Sequence, residues 1–559
     1  MPCTDIPDAL RHLNIVMGTK HTLEIESLHT FLKHAVAASR DFGELYGTVR
    51  PWWHYEQSDR FEAATTQLGT GEKQHSKATD KIVGGLYISD PCLPPRRIWD
   101  LYSNRVLPYF MLPEDKKIYR SVQLPDNLWT VSHSWTADVD RMAVWTNING
   151  RQWPVSIPRK TTLDHVRVEL LNMGAEYVWL DVLCLRQKGA DKDEPTRIEE
   201  WKLDVPTIGH IYRGEPVKTR RCITYFNGLG LPLTTDPSVL ASDRHWFNRA
   251  WTLQETLETW LPGGLTGMPL VNAHKLFAQL SRLYSSQTLA SSNGDFSIDL
   301  LRDMKSRSCK NDLDKVSGIA YCFKLRKLPI YSEKISVEAA WERLLQALSF
   351  IPSTNLFLQY VPETPFGLFV SFSGFLEQIP VIPPIPAGIT EQHIQQRHAH
   401  SHTQLAFAVS SCYISRKEAD LPSGSLTITV RVGERSTRTF SLTGCKVHGI
   451  FLPNVSYTIL FLASTGPGRH YCVLAELVGN WEYLWRYELC ASAIKWGVIY
   501  AAGGNIEELA EMRQVRKKCQ VGYLDEERAM QQSQYTDRYM QAFRKMREDG
   551  QPYIFGDAS

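Results

Sequence analysis

Three apolar and aromatic blocks that each end in polar residues constrain this chain more than any other feature of its sequence. They are Trp129–Trp135, Tyr177–Gln187 and His245–Glu255. A block that begins as a buried strand and ends in Ser, Asp or Glu brings polar side chains to one edge of a sheet. The sequence therefore predicts a functional site at that edge.

The composition is that of a globular protein with several domains. The chain has 559 residues, of which 43% are hydrophobic and 22% are charged, and it is long enough for roughly three or four domains of about 150 residues each. A net charge of +2 argues against a protein that binds nucleic acid through a concentrated basic face. We therefore expect no nucleic-acid partner.

The expected location is the cytoplasm. Eleven scattered cysteines without a C-x-x-C pair suit free thiols in a reducing compartment better than disulfides or a structural zinc site. The N-terminus lacks the basic and apolar regions of a secretory signal. No apolar stretch approaches the roughly 18 residues that a transmembrane helix needs, so the sequence predicts no membrane span.

The pattern from Leu128 to Tyr225 alternates between strand and helix, which favours an α/β unit with a mainly parallel sheet. Strands are predicted at Leu128–His133, Tyr177–Leu180 and Cys222–Phe226. A helix is predicted to begin after Thr162, which can cap it.

The third block is predicted to form a helix. Phe247, Trp251 and Glu255 are four residues apart, and residues at this spacing share one face of an α-helix. The prediction places the carboxyl group of Glu255 beside the indole of Trp251.

Composition shifts divide the chain into six regions. Repeated Pro in Ile379–Gly388 disfavours regular structure, alternating apolar residues from Leu426 to Val432 predict a half-buried strand, and a helix is predicted from about Ile506 to Lys518. The predicted regions are 1–126 (N-terminal, helical and irregular), 127–325 (α/β domain, core at about 127–260), 326–378 (helical extension), 379–404 (Pro- and His-rich linker), 405–500 (β-rich domain) and 501–559 (helical tail).

In their order and spacing, the three blocks resemble the signature of the fungal heterokaryon incompatibility (HET) domain. The resemblance covers roughly residues 127–325. It includes Ile208–Tyr212, where the family has a helix ending in Ile-Tyr, and Arg307–Val316, which resembles the closing Arg and Asp-Lys-Val pattern. The chain departs from the family at Thr136, where members have Gly, and at Arg186, where Asp or Asn is common. Arg186 is expected to change the charge beside the site.

HET domains are in turn similar to TIR domains, which are flavodoxin-like signalling modules that hydrolyse NAD in some branches. In that comparison Val131–Ser134 takes the place of the first TIR strand and its loop. Trp251–Glu255 resembles the Trp-Cys-x-x-Glu helix that carries the TIR catalytic glutamate. The resemblance implies a TIR-like parallel sheet, a catalytic role for Glu255 and NAD as a substrate.

The chemistry of NAD cleavage suits these residue types. Breaking the bond between ribose and nicotinamide develops positive charge on the sugar, which a carboxylate such as Glu255 can stabilise. Ser134 can hydrogen-bond a phosphate or ribose, and Trp135 or Trp251 can stack on a base or pyridinium ring. Asp181 can orient a ribose or the arginine of a partner.

Glu255 and Asp181 each have a structural alternative, and Cys184 is a further candidate with one. Glu255 can be an exposed helix residue or can form a buried ion pair with Arg249 or Arg186. Asp181 can cap the turn that follows its strand. Cys184 is better explained as a small core residue than as a thiolate nucleophile.

The sequence predicts neither a metal site nor an internal ATP-driven trigger. Four histidines cluster in a polar segment, but they have no spaced Cys or acidic partner, so a solvated loop is expected; they are His393, His398, His400 and His402. The chain contains no glycine-rich phosphate loop. Another protein or domain must therefore supply any activating signal.

Three functions are compatible with these observations. The first is self/non-self recognition or cell-death signalling through a TIR-like effector domain, with protein partners or self-assembly. The second is an enzyme whose NAD cleavage is the output. The third is an interaction scaffold with a degenerate site.

Overall fold

The structure is a computed structural model of the chain. It describes residues 5–37, 41–53, 61, 65, 82–111, 128–190, 193–213, 220–255, 260–264, 274–282, 298–323, 325–348, 394–398, 401–415, 426–432, 436–443, 445–451, 456–466, 469–477, 482–484, 488–501, 503–512, 514–522 and 553–555.

The chain divides into two compact units. The first comprises Met1–Ser285 and Ser306–Ile335, and the second comprises Ser286–Lys305 and Ser336–Ser559. Residues 286–305 therefore belong to the second unit, although they lie within the predicted α/β domain.

Helices occur in both units. The described α-helices are α1 (Ile6–Met17), α2 (Glu26–Ala37), α3 (Phe42–Val49), α4 (Leu163–Asn172), α5 (Asp181–Cys184), α6 (Glu194–Asp204), α7 (Ile208–Arg213), α8 (Pro237–Leu240), α9 (Ile298–Lys305), α10 (Leu313–Ala320), α11 (Val337–Ala347) and α12 (Ile506–Glu511), with a further helical segment at 274–282. Short 3-10 helices cover Arg50–Trp52, Tyr109–Met111, Asp138–Asp140, Asn147–Asn149, Trp246–Asn248, Trp251–Leu253 and Tyr321–Phe323.

The strands of the first unit form three sheets. They are β1 (Ile82–Val83), β2 (Tyr87–Ile88), β3 (Arg97–Asp100), β4 (Arg105–Pro108), β5 (Leu128–His133), β6 (Arg141–Val144), β7 (Val155–Pro158), β8 (Tyr177–Leu180), β9 (Cys222–Tyr225), β10 (Trp260–Pro262) and β11 (Leu328–Pro329). β1, β2 and β11 make one small sheet, and β6 pairs with β7 in another.

A six-stranded mixed sheet forms the centre of the first unit, in the order β10-β9-β5-β8-β3-β4. β5, β8, β9 and β10 are parallel, whereas β3 pairs antiparallel with both β8 and β4. β5 is buried at every position, as expected for a central strand covered on both faces. The predicted α/β class is therefore confirmed.

Local sequence signals placed several elements correctly. The strands Leu128–His133 and Tyr177–Leu180 are confirmed, and the third predicted strand ends at Tyr225. The hydroxyl of Thr162 accepts a hydrogen bond from the backbone N–H of His165 at 3.2 Å, so it caps α4 as predicted.

The hairpin β3–β4 was not predicted. It lies in the region 1–126 that we expected to be helical or irregular, yet it extends the central sheet beyond β8. β3 begins with Arg97 and ends with Asp100, so its sequence lacks the apolar run or the alternation that predicts a strand. Arg97 is accommodated because its guanidinium donates two hydrogen bonds to the carboxylate of Glu200, at 3.0 and 2.6 Å.

The prediction of an α-helix in the third block is wrong. Trp246–Asn248 and Trp251–Leu253 are separate 3-10 helices, and Arg249 between them is extended, with φ −98° and ψ 137°. Arg249 forms a parallel β-bridge with Ser308, and the N–H of Ala250 donates to the carbonyl of Ser308 at 3.0 Å. This pairing with a distant segment breaks the helix that the spacing predicted.

The second unit contains an eleven-stranded sheet. Its strands are β12 (Ile394–His398), β13 (Ser401–Ser415), β14 (Leu426–Val432), β15 (Ser436–Leu442), β16 (Lys446–Phe451), β17 (Tyr457–Gly466), β18 (Arg469–Leu477), β19 (Glu482–Leu484), β20 (Glu488–Ala501), β21 (Gln514–Gly522) and β22 (Tyr553–Phe555). The strands β14 to β19 lie within the region 405–500 that was predicted to be rich in strands. Leu426, Ile428 and Val430 are buried along β14, as their alternation predicted.

This sheet extends beyond the predicted limits of the domain at both ends. β12 and the first residues of β13 replace part of the predicted linker 379–404, so His398 and His402 lie on strands rather than in a loop. β21 and β22 lie in the predicted helical tail 501–559, and α12 ends at Glu511 instead of Lys518. Pairing of β21 with β13 and β20 accounts for the change. Ile379–Gly388, His393 and His400 lie outside the described residues.

The predicted helical extension is present as α11, whose first turn is capped by Ser336 through a 3.1 Å hydrogen bond from the N–H of Ala339. None of the helices that the structure describes is long and apolar enough to cross a membrane.

We predict that Gly264→Ala destabilises the first unit far more than Gly174→Ala. Both glycines have positive φ, +74° and +91°, but an added Cβ at Gly264 would lie 2.0 Å from the carbonyl oxygen of Leu231, whereas Gly174 has open space. Strain alone should cost about 1 kcal/mol at Gly174, and strain plus displacement of backbone about 2 to 4 kcal/mol at Gly264. Urea unfolding followed by tryptophan fluorescence measures both, and equal losses would contradict the prediction.

Candidate functional site

The carboxyl ends of three parallel strands lie side by side in the first unit. His133 at the end of β5 is opposite Tyr225 of β9, and Val131 is opposite Leu180 of β8. Asp181 directly follows β8, so it lies at the same edge of the sheet. Among the parallel strands, β5 is followed along the chain by β8, which lies on one side of it, and then by β9, which lies on the other side. This edge therefore contains a topological switch point, where open α/β sheets bind ligands.

A hydrogen-bonded network joins Glu255 to the central strand. The hydroxyl of Ser132 on β5 donates to Oε2 of Glu255 and accepts from the indole N–H of Trp246 at 2.6 Å. Ser132 and Trp246 are buried, and Glu255 is half-buried. The phenol of Tyr212 donates to the carbonyl of Val131 at 2.8 Å. The network therefore holds the carboxyl group of Glu255 at the sheet edge.

The environment of Glu255 raises its pKa to about 7. Burial of the carboxyl group is the largest cause, because removal from water disfavours the charged form. The hydrogen bond from Ser132 opposes the shift, whereas the negative charge of Asp181 adds to it. A carboxyl group with this pKa is divided between its two protonation states at neutral pH and can accept or donate a proton.

His133 and Asp181 form a close pair beside Glu255. Nε2 of His133 lies 2.8 Å from Oδ1 of Asp181, and Nδ1 lies 3.1 Å from the carbonyl oxygen of Ser134. Since both ring nitrogens face acceptors, the imidazolium form can donate on both sides. Burial alone would lower the pKa of His133, but the charge of Asp181 and its hydrogen bond raise it overall.

The predicted ligand-binding residues of the first block have partners within the protein. Ser134 is buried, and its N–H donates to the carbonyl of Tyr225 at 3.2 Å. The ring of Trp135 lies 5.7 Å from that of His133, and the guanidinium of Arg141 lies 4.9 Å above the Trp135 ring. Trp135 therefore lies against the His133–Asp181 pair.

Trp251 makes its contacts elsewhere. Its ring lies 6.1 Å from that of Tyr331, and it interacts with the carboxyl group of Asp314. Tyr331 donates to the same carboxyl group at 3.0 Å. The structure therefore brings together Glu255, Asp181, Ser134 and Trp135, whereas the contacts of Trp251 are with Tyr331 and Asp314.

The predicted alternatives for Glu255 can be compared with its surroundings. Among the described residues, neither Arg249 nor Arg186 forms an ion pair with Glu255. Arg186 instead lies 3.2 Å from Asp193 and 3.5 Å from Glu200, and its guanidinium lies 5.0 Å from the ring of Trp153. Its charge is balanced there, so the expected change of charge beside the site does not follow.

Two further alternatives concern the second block. Oδ1 of Asp181 accepts from the N–H of Val182 at 2.7 Å as well as facing His133, so Asp181 combines a local backbone contact with its place in the pair. Cys184 is buried, and burial raises the pKa of its thiol to about 12. The buried thiol is therefore no nucleophile at neutral pH.

Four residues of the network were missed as site residues by sequence reasoning. They are Ser132, His133, Tyr212 and Trp246. Each lies inside a block or motif that had been singled out, but their partners are remote: Ser132 is 114 residues from Trp246 and 123 from Glu255. No local pattern reports pairing at such separations.

The residues described contain no group of three or more His, Cys, Asp or Glu that could hold a metal ion. No protein-family model, curated protein or solved structure matches the chain.

We predict that Asp181→Asn lowers the pKa of His133. Loss of the carboxylate removes the two largest interactions that raise this pKa, whereas burial, which lowers it, and the smaller contributions of the Ser134 carbonyl and of Glu255 remain. The ring should therefore titrate at a lower pH in the variant than in wild type, where its pKa is raised. Imidazole NMR signals followed from about pH 5 to about 8 measure both values. Asp243→Asn, at an exposed position, is the control, and an unchanged His133 titration in Asp181→Asn would refute the assignment.

We predict that Glu255→Gln changes how stability depends on pH. The folded-state pKa of about 7 exceeds the reference value of 4.5, so the folded protein binds this proton more tightly than the unfolded chain. This tighter proton binding stabilises the folded state. The stabilisation is fully present below the unfolded-state pKa and is lost as the pH rises through 7.

The free energy of unfolding of wild type should therefore fall relative to that of Glu255→Gln by about 3 kcal/mol between about pH 4.5 and about 8. Urea titrations at several pH values measure this difference. Glu24→Gln, at an exposed position, should track wild type throughout. Parallel pH profiles for wild type and Glu255→Gln would contradict the raised pKa.

Proposed function

We propose that this chain is a HET-type cell-death or self/non-self recognition protein, and that the α/β part of its first unit is a TIR-like effector domain that cleaves NAD. The four parallel strands lie in the order β8-β5-β9-β10. Numbered along the chain, this order is 2-1-3-4, which is also the order at one end of flavodoxin-like sheets. This order supports the TIR-like fold that the three blocks imply.

The observation that carries the proposal is the position of Glu255. Its carboxyl group is held by Ser132 at the switch point, next to the His133–Asp181 pair. An acidic side chain with a pKa of about 7 at such an edge is typical of a functional site.

The reaction follows from this environment. The bond between C1′ of the ribose and nicotinamide breaks, its electron pair leaves with nicotinamide, and the sugar becomes cationic. The carboxylate of Glu255 stabilises that cation. Water then adds to C1′ and releases a proton, for which a carboxylate of this pKa is a suitable acceptor. The pyridinium of the substrate favours the ionised form of Glu255 before the reaction begins.

A scaffold without turnover is the second candidate. It is favoured by the contacts that already occupy the site: Glu255 accepts from Ser132, and Trp251 interacts with Asp314. In that case the network is structural, and the protein signals by binding partners.

Both candidates fit a cytoplasmic protein that acts with protein partners or by self-assembly. None of the cysteines whose side chains the structure describes forms a disulfide, which suits a reducing compartment.

We predict that the concentrated full-length protein releases nicotinamide from NAD and that Glu255→Gln reduces the rate by at least about 100-fold, because the developing cation loses its counter-charge. Chromatography of nicotinamide measures the rate. The exposed Glu24→Gln should retain wild-type turnover.

Expression in yeast with growth as the readout separates the two candidates. Growth inhibition by wild type but not by Glu255→Gln supports NAD cleavage as the output. Inhibition by both proteins, without nicotinamide release from folded wild type, supports the scaffold.

A further inference from the structure

Several cationic side chains lie together at the edge of the proposed site. They form the cationic cluster, defined as Arg141, Arg244, Arg249 and Lys310. Arg141 begins β6, Arg244 and Arg249 flank the 3-10 helix Trp246–Asn248, and Lys310 precedes α10. The cluster thus comes from three separate parts of the chain.

Backbone pairing and one carboxylate bring these parts together. Arg249 forms a β-bridge with Ser308, and Lys310, two residues further on, lies 3.7 Å from the carboxylate of Asp138. The guanidinium of Arg141 contacts the same carboxylate. Arg141 is also close enough to Arg244 and Arg249 for their charges to act on it.

The cluster has more positive than negative charge. Asp138 contacts two of the four cations and is itself exposed, and the carboxyl groups of Asp314 and Glu255 act on Arg249 without forming an ion pair with it. The guanidinium of Arg249 forms no ion pair or side-chain hydrogen bond with any residue that the structure describes. Nε of Arg141 is buried and has no hydrogen-bond acceptor. Burial lowers the pKa of both arginines, yet a guanidinium stays charged in proteins.

Arg186 and Arg197 also have a buried guanidinium nitrogen without a hydrogen-bond acceptor, but both are paired with carboxylates, whereas Arg249 is paired with none that the structure describes. Arg97 and Arg186 each face Glu200, and Arg197 faces Glu194 and Glu333. Uncompensated positive charge that is partly removed from water is costly unless an anion offsets it. The arrangement therefore favours an anionic ligand.

The cluster adjoins the residues of the proposed active site. The guanidinium of Arg141 lies 4.9 Å from the ring of Trp135, which lies 5.7 Å from that of His133. The charge of Arg249 also acts on Glu255. A ligand bound at the cluster would therefore adjoin Trp135, on the side of the proposed site where His133 lies.

We propose that the cationic cluster binds the diphosphate of a dinucleotide ligand, with Arg141 and Arg249 as its principal donors. The inference rests on the proposed function, because the same ligand would present its nicotinamide ribose to Glu255. A diphosphate is compact and carries about two negative charges, and the planar guanidinium matches its oxygens with paired hydrogen bonds.

Calorimetric titration of the full-length protein with ADP-ribose tests the proposal, with adenosine as the probe that lacks phosphate. Wild type should bind ADP-ribose at least about tenfold more tightly than adenosine, and Arg141→Gln and Arg249→Gln should each weaken ADP-ribose binding by about tenfold or more. Arg326→Gln makes the same charge change at an exposed position and should bind like wild type. Arg249→Lys, which keeps the charge but not the paired donors, should bind ADP-ribose more weakly than wild type and more tightly than Arg249→Gln, and near-UV circular dichroism checks the fold of each variant.

The titration is independent of turnover because ADP-ribose is a product. Arginine-dependent binding of ADP-ribose in a protein that does not cleave NAD would support the diphosphate site and count against the proposed reaction. NAD cleavage combined with unchanged ADP-ribose binding in folded Arg141→Gln and Arg249→Gln would overturn the diphosphate site alone. Equal affinity of wild type for adenosine and ADP-ribose, or no binding of either, would also overturn it.

Discussion

The pairing of β5 with both β8 and β9 is the constraint on which the rest of this site depends. It brings together residues that are 48 and 123 positions apart in the chain, as in His133 with Asp181 and Ser132 with Glu255. Because β5 is buried throughout, its polar side chains need partners within the protein. The end of the strand can be polar only because the neighbouring segments supply those partners.

The electrostatics of the site follow from this enclosure. Burial raises the pKa of Glu255, Ser132 stabilises its charged form, and Asp181 and His133 act on it with opposite signs. His133 is likewise governed by burial against the charge of Asp181. The protonation of Glu255 therefore depends on Ser132, Asp181 and His133 together, and a bound cation or anion would shift its pKa.

The arginines of the first unit show how such a fold distributes charge. Those between the hairpin β3–β4 and α6 are matched by carboxylates, as in Arg97 with Glu200 and Arg96 with Asp204. That matching lets charged residues support the edge of the sheet. Around Trp135 the cations exceed the carboxylates that contact them. A net charge of +2 for the chain conceals this local difference.

The sequence by itself determined the elements whose signals are local. Strand pattern and length predicted β5 and β8, a hydroxyl cap predicted the start of α4, and alternation predicted β14. It also located the segments that meet at the sheet edge, including Glu255 and Asp181.

Only the tertiary structure decided what depends on partners far away in the chain. Pairing with Ser308 broke the helix predicted through Arg249, and pairing with β13 and β20 made β21 a strand. The hydrogen bonds of Ser132 to Glu255 and Trp246 also join residues that are far apart in the chain. The physical reason is that a backbone or side-chain group takes whichever hydrogen-bond partner folding brings to it, and local spacing contains no information about partners more than fifty residues away.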